Sequence, residues 1–149
     1  MARRIEIINS SRGRVPQKVL RKLDSWLRRR LSIRKSVVCV FVGLAEGRRL
    51  NLQFRGRAYA TDVLSFAPVE DASLGELVFC YDVIRKQAVD HQLSFRDELA
   101  YMYIHGVLHL LGHDHEKSSS AAKKMFALQD DLFDRWLIFL ASKADTFYK

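Results

Sequence analysis

The chain has 149 residues, a length that predicts a single domain spanning residues 1–149 with a core that needs no cross-links. Its apolar content of 48% is typical of a globular protein, and no apolar run reaches the roughly 18 residues of a membrane span, so no membrane association is expected. The net charge of +8 is unevenly distributed: residues 1–57 hold 16 Lys/Arg against three acids, and the remainder holds nine against 14. Such a basic N-terminal part indicates a polyanionic partner, with a solvated basic helix as the alternative.

The first predicted elements alternate between strand and helix. Residues 3–8 favour a strand, and residues 9–13 favour a turn. Pro16 suits the first turn of a helix, and apolar residues at 3.6 spacing predict an amphipathic helix over residues 16–31. The other face of this helix carries the basic residues Lys18, Arg21, Lys22, Arg28 and Arg29. Residues 36–42 are nearly all apolar or β-branched, which predicts a strand buried on both faces.

Residues 46–55 are ambiguous. Leu50, Leu52 and Phe54 alternate as in a strand, yet Leu50 and Phe54 are also four residues apart, and Gly56 is placed to end a helix. Periodicity alone does not choose between the two structures.

The second half of the chain is predicted to begin with strands and to end in helices. The predicted elements are strands over 61–66 and 74–80, a helix over 82–92, a helix reaching about 111, and a long last helix starting near 118. The two strands are expected to pair as a hairpin, because the loop between them contains Pro68. Ser94 is expected to cap the helix that follows it, with Asp97 completing a capping-box-like start. This order predicts an α+β domain with a small sheet.

The two cysteines indicate the cellular compartment. Cys39 and Cys80 both lie in apolar runs, and neither has a second cysteine near it in the sequence. We expect them to be buried free thiols in a reducing compartment. The basic N-terminus lacks the apolar stretch of a signal peptide, so a cytoplasmic location is predicted.

Four of the five histidines lie within residues 105–115. His105 and His109 are one turn apart on the same face of a helix. Gly112 is expected to end that helix, since glycine adopts left-handed backbone angles without strain, and the chain then turns back to bring His115 over the first two rings. Three converging imidazoles are typical of catalytic zinc with an open fourth position. A histidine-rich helix end without a metal is the alternative.

The histidine spacing matches that of metalloproteases with the motif H-E-x-x-H-x-x-G-x-x-H, in which the glutamate is the general base. Gly106 occupies that place here and cannot transfer a proton, which argues against proteolysis by this route. Phosphodiester hydrolysis depends less on a general base, because metal charge, a cation on the phosphate and a ribose 2′-OH can all contribute to catalysis. Glu116 is a candidate substitute base. Arg55 is a candidate phosphate clamp, with a solvated arginine as the alternative.

Two further residues of this stretch and one outside it are also interpreted. Asp114 is expected to hold an imidazole in its ligating tautomer, and a turn residue is the alternative. His113 is expected to point away from the metal if the helix ends at Gly112. His91 is isolated in the sequence and is assigned no role.

Three stretches together resemble the YbeY family of bacterial endoribonucleases, also described as rRNA maturation factors. They are residues 50–57 leading to 61–66, residues 74–80, and the histidine stretch, which is close to that family's H-G-x-L-H-L-x-G-Y-D-H. The resemblance implies a helix over residues 46–55 and a four-stranded sheet with helices packed on it. The expected fold is therefore α+β, with a small mixed four-stranded sheet, about five helices and a zincin-like metal site at the end of a helix.

The resemblance also implies a site and an activity. His105, His109 and His115 would hold one Zn²⁺ per chain, and Arg55 would be a catalytic residue. The implied activity is zinc-dependent endonucleolytic cleavage of single-stranded RNA in 16S rRNA 3′-end maturation and ribosome quality control. The implied partners are rRNA, ribosomal particles and assembly factors. A metallopeptidase-like hydrolase and a non-catalytic, zinc-containing ribosome assembly factor are the rival hypotheses.

The sequence departs from the family pattern without losing a ligand. The aspartate that usually follows R-G-K is Ala58, the tyrosine of G-Y-D-H is His113, and a further histidine that some members carry is Tyr101. These departures concern the loop around Arg55 and the fit of the substrate.

Overall fold

Four strands and five helices follow one another in the computed structural model, which describes residues 4–148. In chain order they are β1 (Ile5–Asn9), α1 (Gln17–Leu31), β2 (Ser36–Val42), α2 (Leu44–Arg55), β3 (Val63–Phe66), β4 (Ser73–Cys80), α3 (Tyr81–Asp90), α4 (Phe95–Leu110) and α5 (Ser119–Tyr148). The predicted α+β fold is confirmed. Arg3, the predicted first residue of β1, lies outside the described residues. No helix within residues 4–148 combines the length and apolarity needed to cross a bilayer.

The sheet has the strand order β1-β2-β4-β3. β1, β2 and β4 run parallel, whereas β3 pairs antiparallel with β4, with Leu64 opposite Val78. The predicted hairpin of β3 and β4 is therefore confirmed. β3 is an edge strand of this sheet, and α4 packs beside it.

The ambiguous segment at residues 46–55 is helical, since α2 spans Leu44–Arg55. The resemblance predicted this helix, and the alternative of a strand is wrong. Gly56 follows with a φ of +68°, a left-handed conformation that ends the helix, and its N–H bonds to the Leu52 carbonyl at 3.0 Å. Arg55 is the last residue of α2, so this helix end sets the position of Arg55.

β2 is fully buried on one face and partly buried on the other, so the prediction of burial on both faces is correct only in part. Val37, Cys39 and Phe41 are at most 1% exposed in the main core, which also contains side chains from α1, α4 and α5. Val38 and Val40, on the opposite face, are only half-buried. A much smaller apolar cluster covers that face, and α2 contributes to it. The parallel strands therefore have helices packed densely on one side only.

α1 is amphipathic as predicted, but one of its basic residues is not on the solvent face. Arg28 is 4% exposed, and its Nε donates to Asp24 Oδ2 at 2.7 Å. Its other guanidinium nitrogens donate to the carbonyls of Lys35 and Arg4, each at 2.6 Å. Tyr103 on α4 donates its hydroxyl to Asp24 at 2.6 Å. This buried network ties α1 to α4, the helix that carries two of the clustered histidines.

α4 also lies close to the sheet. Ser94 caps its first turn by accepting a hydrogen bond from the Asp97 N–H at 3.1 Å, as predicted. Gly106 is buried, and a Cβ at this position would lie 2.8 Å from Cδ2 of Leu77 on β4. The absence of a side chain at Gly106 therefore allows the close approach of α4 to β4. Both cysteines are buried free thiols, as expected.

Candidate metal centre

The histidine stretch folds as its spacing predicts. α4 ends at Leu110, and Gly112 has a φ of +102°. The Gly112 N–H bonds to the His109 carbonyl and the His113 N–H to the Leu108 carbonyl, both at 3.0 Å. These bonds turn the chain back over the end of the helix. The predicted role of Gly112 as a helix terminator is confirmed.

The structure brings His105, His109 and His115 together, and we call these three residues the histidine triad. One ring nitrogen from each lies within 4.8 Å of those from the other two. Their ring centroids are 4.9, 5.3 and 5.0 Å apart, and His109 Nε2 is 3.0 Å from His115 Nδ1. His113 is not part of this group. The three predicted ligands therefore converge as the spacing predicts.

Gln129 on α5 orients one ring of the triad. Its Oε1 lies 2.9 Å from His105 Nδ1, and its Nε2 donates to the Tyr101 carbonyl at 3.3 Å. Because an amide oxygen only accepts, His105 carries its proton on Nδ1, and the lone pair is on Nε2. Gln129 is 1% exposed, so this contact is made inside the protein. Metal-bound histidines almost always donate a hydrogen bond in this way from the N–H of the ring nitrogen that does not bind the metal.

The surroundings of His105 and His109 favour the neutral forms of these two imidazoles. Burial lowers the pKa of His105, and this effect outweighs the opposing effect of the bond to Gln129. Burial also lowers the pKa of His109, and repulsion from the other two triad rings adds to it. Neutral imidazoles have the free lone pairs that a metal requires. Three converging imidazoles, one of them with its tautomer fixed, fit Zn²⁺, which accepts three histidines together with an open position.

The triad lies in a cleft of about 350 Å³. α4, β3 with the loop before it, the end of α2 and the first turns of α5 line this cleft. Arg55 lines it from the end of α2, and its side chain is 41% exposed. Its Nη1 is 3.9 Å from the Oε2 of Glu116, which follows the triad in sequence and also lines the cleft. The predicted phosphate clamp and the predicted substitute base therefore face the same space as the triad.

Asp114 does not have its expected role. It is exposed, and its Oδ1 accepts a hydrogen bond from the Glu116 backbone N–H at 2.9 Å. The alternative of a turn residue is therefore correct, because the carboxylate satisfies the backbone of the turn. The side chain that fixes an imidazole is Gln129, which sequence reasoning missed. Its one signal was a polar residue within the apolar stripe of the last helix, between Met125 and Leu132.

His91, to which the sequence assigned no role, also lines the cleft. Its Nδ1 is 3.0 and 2.9 Å from the two carboxylate oxygens of Glu98, a residue that is 0% exposed. The hydrogen bond to Glu98 raises the pKa of His91, and the nearby charges of Glu98 and Asp90 add to this effect. We call these two residues the His91–Glu98 pair. No sequence motif joins them, since they lie on opposite sides of a turn between α3 and α4.

The chain is similar to known proteins over most of its length. The family model described as Endoribonuclease YbeY matches residues 4–137. An Endoribonuclease YbeY from Bdellovibrio bacteriovorus is 40% identical over 140 residues, which cover 86% of this chain and 91% of the relative. One from a Janthinobacterium species is 37% identical, covering 74% of this chain and 75% of the relative. The solution structure of a Thermotoga maritima protein superposes with a TM-score of 0.67 at 31% identity over 93% of each chain.

Proposed function

Because the chain belongs to the YbeY family of endoribonucleases, we propose that it cleaves single-stranded RNA with the help of one Zn²⁺ per chain. The observation that carries this proposal is the placement of three imidazoles and an arginine in one cleft. A metal site of three imidazoles beside a guanidinium suits a substrate that carries a phosphodiester anion.

The triad, Arg55 and Glu116 each have a distinct role in the proposed reaction. The triad would hold the ion, which supplies positive charge to polarise a phosphoryl oxygen and to acidify water. Arg55, with its guanidinium exposed to the cleft, binds the non-bridging oxygens of the scissile phosphate in a bidentate manner. Glu116, whose carboxylate is 52% exposed beside Arg55, accepts the proton of the attacking hydroxyl as its oxygen bonds to phosphorus. The P–O bond to the leaving ribose oxygen breaks, and that oxygen takes a proton from water.

Two observations favour this function over its rivals. Gly106 occupies the place of the metallopeptidase base, and a side chain there would run into Leu77 rather than reach a substrate. A structural zinc site is closed by protein ligands, whereas the triad opens onto a cleft of about 350 Å³. The first observation disfavours a metallopeptidase, and the second disfavours a purely structural role for the metal.

The proposed substrate in the cell is rRNA, at the 3′ end of the 16S species, within ribosomal particles that carry assembly factors. The basic surface of α1 supports binding to such a polyanion, since Lys18, Lys22, Arg29 and Arg30 are all exposed. A cytoplasmic setting is supported by the two free thiols. Purified small-subunit particles with 3′-extended 16S rRNA test this part of the proposal. We expect endonucleolytic cleavage near the mature end at low salt, and cleavage scattered along the rRNA would contradict the proposal.

The catalytic site is tested with fluorescent single-stranded RNA, a matched duplex and a peptide library, with bound metal measured in each preparation. We expect His109→Ala to lose both metal and cleavage. His113→Ala, which removes a histidine of the same stretch outside the triad, should retain both. Cleavage that survives in His109→Ala would place catalysis elsewhere or reveal a contaminating ribonuclease. Cleavage of peptides but not RNA would overturn the proposal.

The role of the arginine is tested separately. Arg55→Ala should lower cleavage strongly while leaving the metal content unchanged, because Arg55 binds substrate and not the ion. Arg48→Ala removes an exposed arginine of the same helix and serves as the matched control. If both variants lose activity to the same extent, the effect is one of total charge and not of a phosphate clamp.

A further inference from the structure

We propose that Phe126 is a stacking platform for an unpaired nucleobase of the substrate, next to the phosphate that Arg55 binds. This inference rests on the proposed ribonuclease function and deepens it, because it names the part of the RNA that the cleft recognises. The relevant observations are the exposure of Phe126, its contacts with the triad, and its position relative to Arg55.

Phe126 is unusually exposed for a large aromatic residue of α5. Buried residues of this helix, Met125, Leu132 and Trp136, are at most 4% exposed and form its core-facing stripe. Phe126 lies outside that stripe, is 40% exposed, and lines the cleft. The core therefore does not account for its presence, and its remaining surface faces the space where the substrate would bind.

The Phe126 ring packs against two rings of the triad. Its centroid is 6.1 Å from that of His105 with an interplanar angle of 25°, and 5.6 Å from that of His115 with an angle of 55°. A ring held against two neighbours in this way presents a defined surface to the cleft. Unpaired bases of RNA are commonly recognised by stacking on such aromatic side chains.

Arg55 and Phe126 approach the triad from different elements of the fold. Arg55 contacts Glu116, which directly follows His115, whereas Phe126 contacts the ring of His115 itself. A phosphate bound by Arg55 and a base stacked on Phe126 thus belong to the same or adjacent nucleotides. A duplex cannot offer such a base without breaking a pair, and this provides a physical basis for selectivity toward single strands.

The inference is tested with a short single-stranded RNA in which one abasic ribonucleotide is moved stepwise past the cleavage site. With the wild-type protein, we expect one abasic position to raise KM by about 5- to 100-fold with little change in kcat. Phe126→Leu keeps the apolar volume over the histidines but lacks a π-face, and it should raise KM similarly on intact RNA. Combining the variant with that abasic position should add no further penalty. Phe126→Trp should restore the wild-type KM.

Two controls separate stacking from a role in covering the metal centre. Phe126→Leu should bind as much metal as the wild type, and Ile138→Ala, which truncates a 71% exposed residue of the same helix, should leave KM unchanged. An abasic penalty that is equal in the wild type and in Phe126→Leu would overturn the inference. So would loss of metal from Phe126→Leu, since the ring would then be a cover for the ligands.

Failure of the proposed function is distinguished by a binding measurement. If the wild type cleaves no RNA, the ribonuclease proposal fails, and stacking is decided with single-stranded RNA that contains 2-aminopurine. Quenching of the 2-aminopurine fluorescence by the wild type and its loss in Phe126→Leu would support a nucleobase site without catalysis. Equal quenching and equal affinity in both proteins would overturn the inference.

Discussion

Imidazoles near the two ends of α4 line the same cleft, but their surroundings shift the imidazole pKa values in opposite directions. Near the N-terminal end, the hydrogen bond to Glu98 raises the pKa of His91, whose side chain is 56% exposed. Near the C-terminal end, burial lowers the pKa of His105 and His109. A carboxylate and water favour the imidazolium, whereas desolvation and neighbouring imidazoles favour the neutral ring.

The comparison shows why a count of histidines does not locate a metal site. His91 directs its Nδ1 at a carboxylate, so that its proton is held there and the ring is stabilised as a cation. His105 directs its Nδ1 at an amide oxygen, which accepts a proton without adding negative charge and leaves Nε2 free. The chemistry of the residue behind each ring, Glu98 or Gln129, therefore separates a salt-bridging histidine from one that could bind a metal.

The largest expected difference between the two ends is in metal binding. His105→Ala should reduce bound Zn²⁺ from about one per chain to almost none at concentrations that saturate the wild type, because two nitrogens remain. The rise in the unfolding temperature on adding zinc should disappear with it. His91→Ala should keep the full metal content. Elemental analysis after dialysis and thermal unfolding with and without zinc check this, and metal loss of equal size in both variants would contradict it.

A smaller effect is expected when the ring is kept and its support is removed. Gln129→Leu leaves the three imidazoles in place but removes the acceptor for His105 Nδ1, so zinc affinity should fall by about 10- to 100-fold. Gln129→Glu keeps an acceptor and should retain the affinity or increase it. Competition with a chelator of known affinity measures both. Unchanged affinity in Gln129→Leu would show that packing alone orients His105.

Whether the sequence predicts a feature of this site depends on how far apart along the chain the contacting residues are. The helix of His105 and His109, its end at Gly112 and the return of His115 follow from local spacing and glycine conformation, and all were predicted. The support by Gln129 was not, because that residue is 24 positions from His105 and becomes its neighbour only when α5 packs on α4. Arg55 could be named as a phosphate clamp only as one alternative, and the resemblance strengthened it.

The same distinction applies to the fold: features set by neighbouring residues were predicted, whereas features set by residues distant in the chain were not. Apart from α2, the strand and helix positions follow from short stretches of sequence, as do the capping of α4 by Ser94 and the β3–β4 hairpin. The burial of Arg28 does not, because its partners include Arg4, Asp24 and Lys35, which three different segments bring together. The half-exposed face of β2 likewise depends on which helices cover the sheet, and periodicity within one strand cannot predict it.

The His91–Glu98 pair is expected to contribute to stability and not to metal binding. His91→Ala leaves the buried carboxylate of Glu98 without its partner, which should lower the free energy of unfolding by about 1–3 kcal/mol at neutral pH. Glu98→Gln removes the charge, so the same His91→Ala change should cost less in that background. Urea unfolding of the wild type, both single variants and the double variant measures the coupling. Strict additivity would show that the pair contributes no interaction energy.

The smallest expected effect is a pH dependence that has opposite signs at the two ends. The pKa of His91 is raised from its ordinary value of 6.5, so its stabilising contribution is fully present below about pH 6.5 and is lost as the pH rises through the folded-state pKa. For His105 and His109, whose pKa values are lowered, the contribution is present above about pH 6.5 and is lost as the pH falls through the folded-state pKa. The stability of the wild type alone therefore combines the two trends.

The variant His91→Gln isolates the pH dependence of stability that His91 contributes. The difference in unfolding free energy between the wild type and His91→Gln should be larger at about pH 5.5 than at about pH 8.5. It should change by only a few tenths of a kcal/mol, roughly, because water screens the exposed imidazole. The contributions of His105 and His109 cancel in this difference, since both proteins retain the triad. A difference that grows as the pH rises would show that His91 is bound to Glu98 as a neutral ring, and the contrast between the two ends of α4 would then be lost.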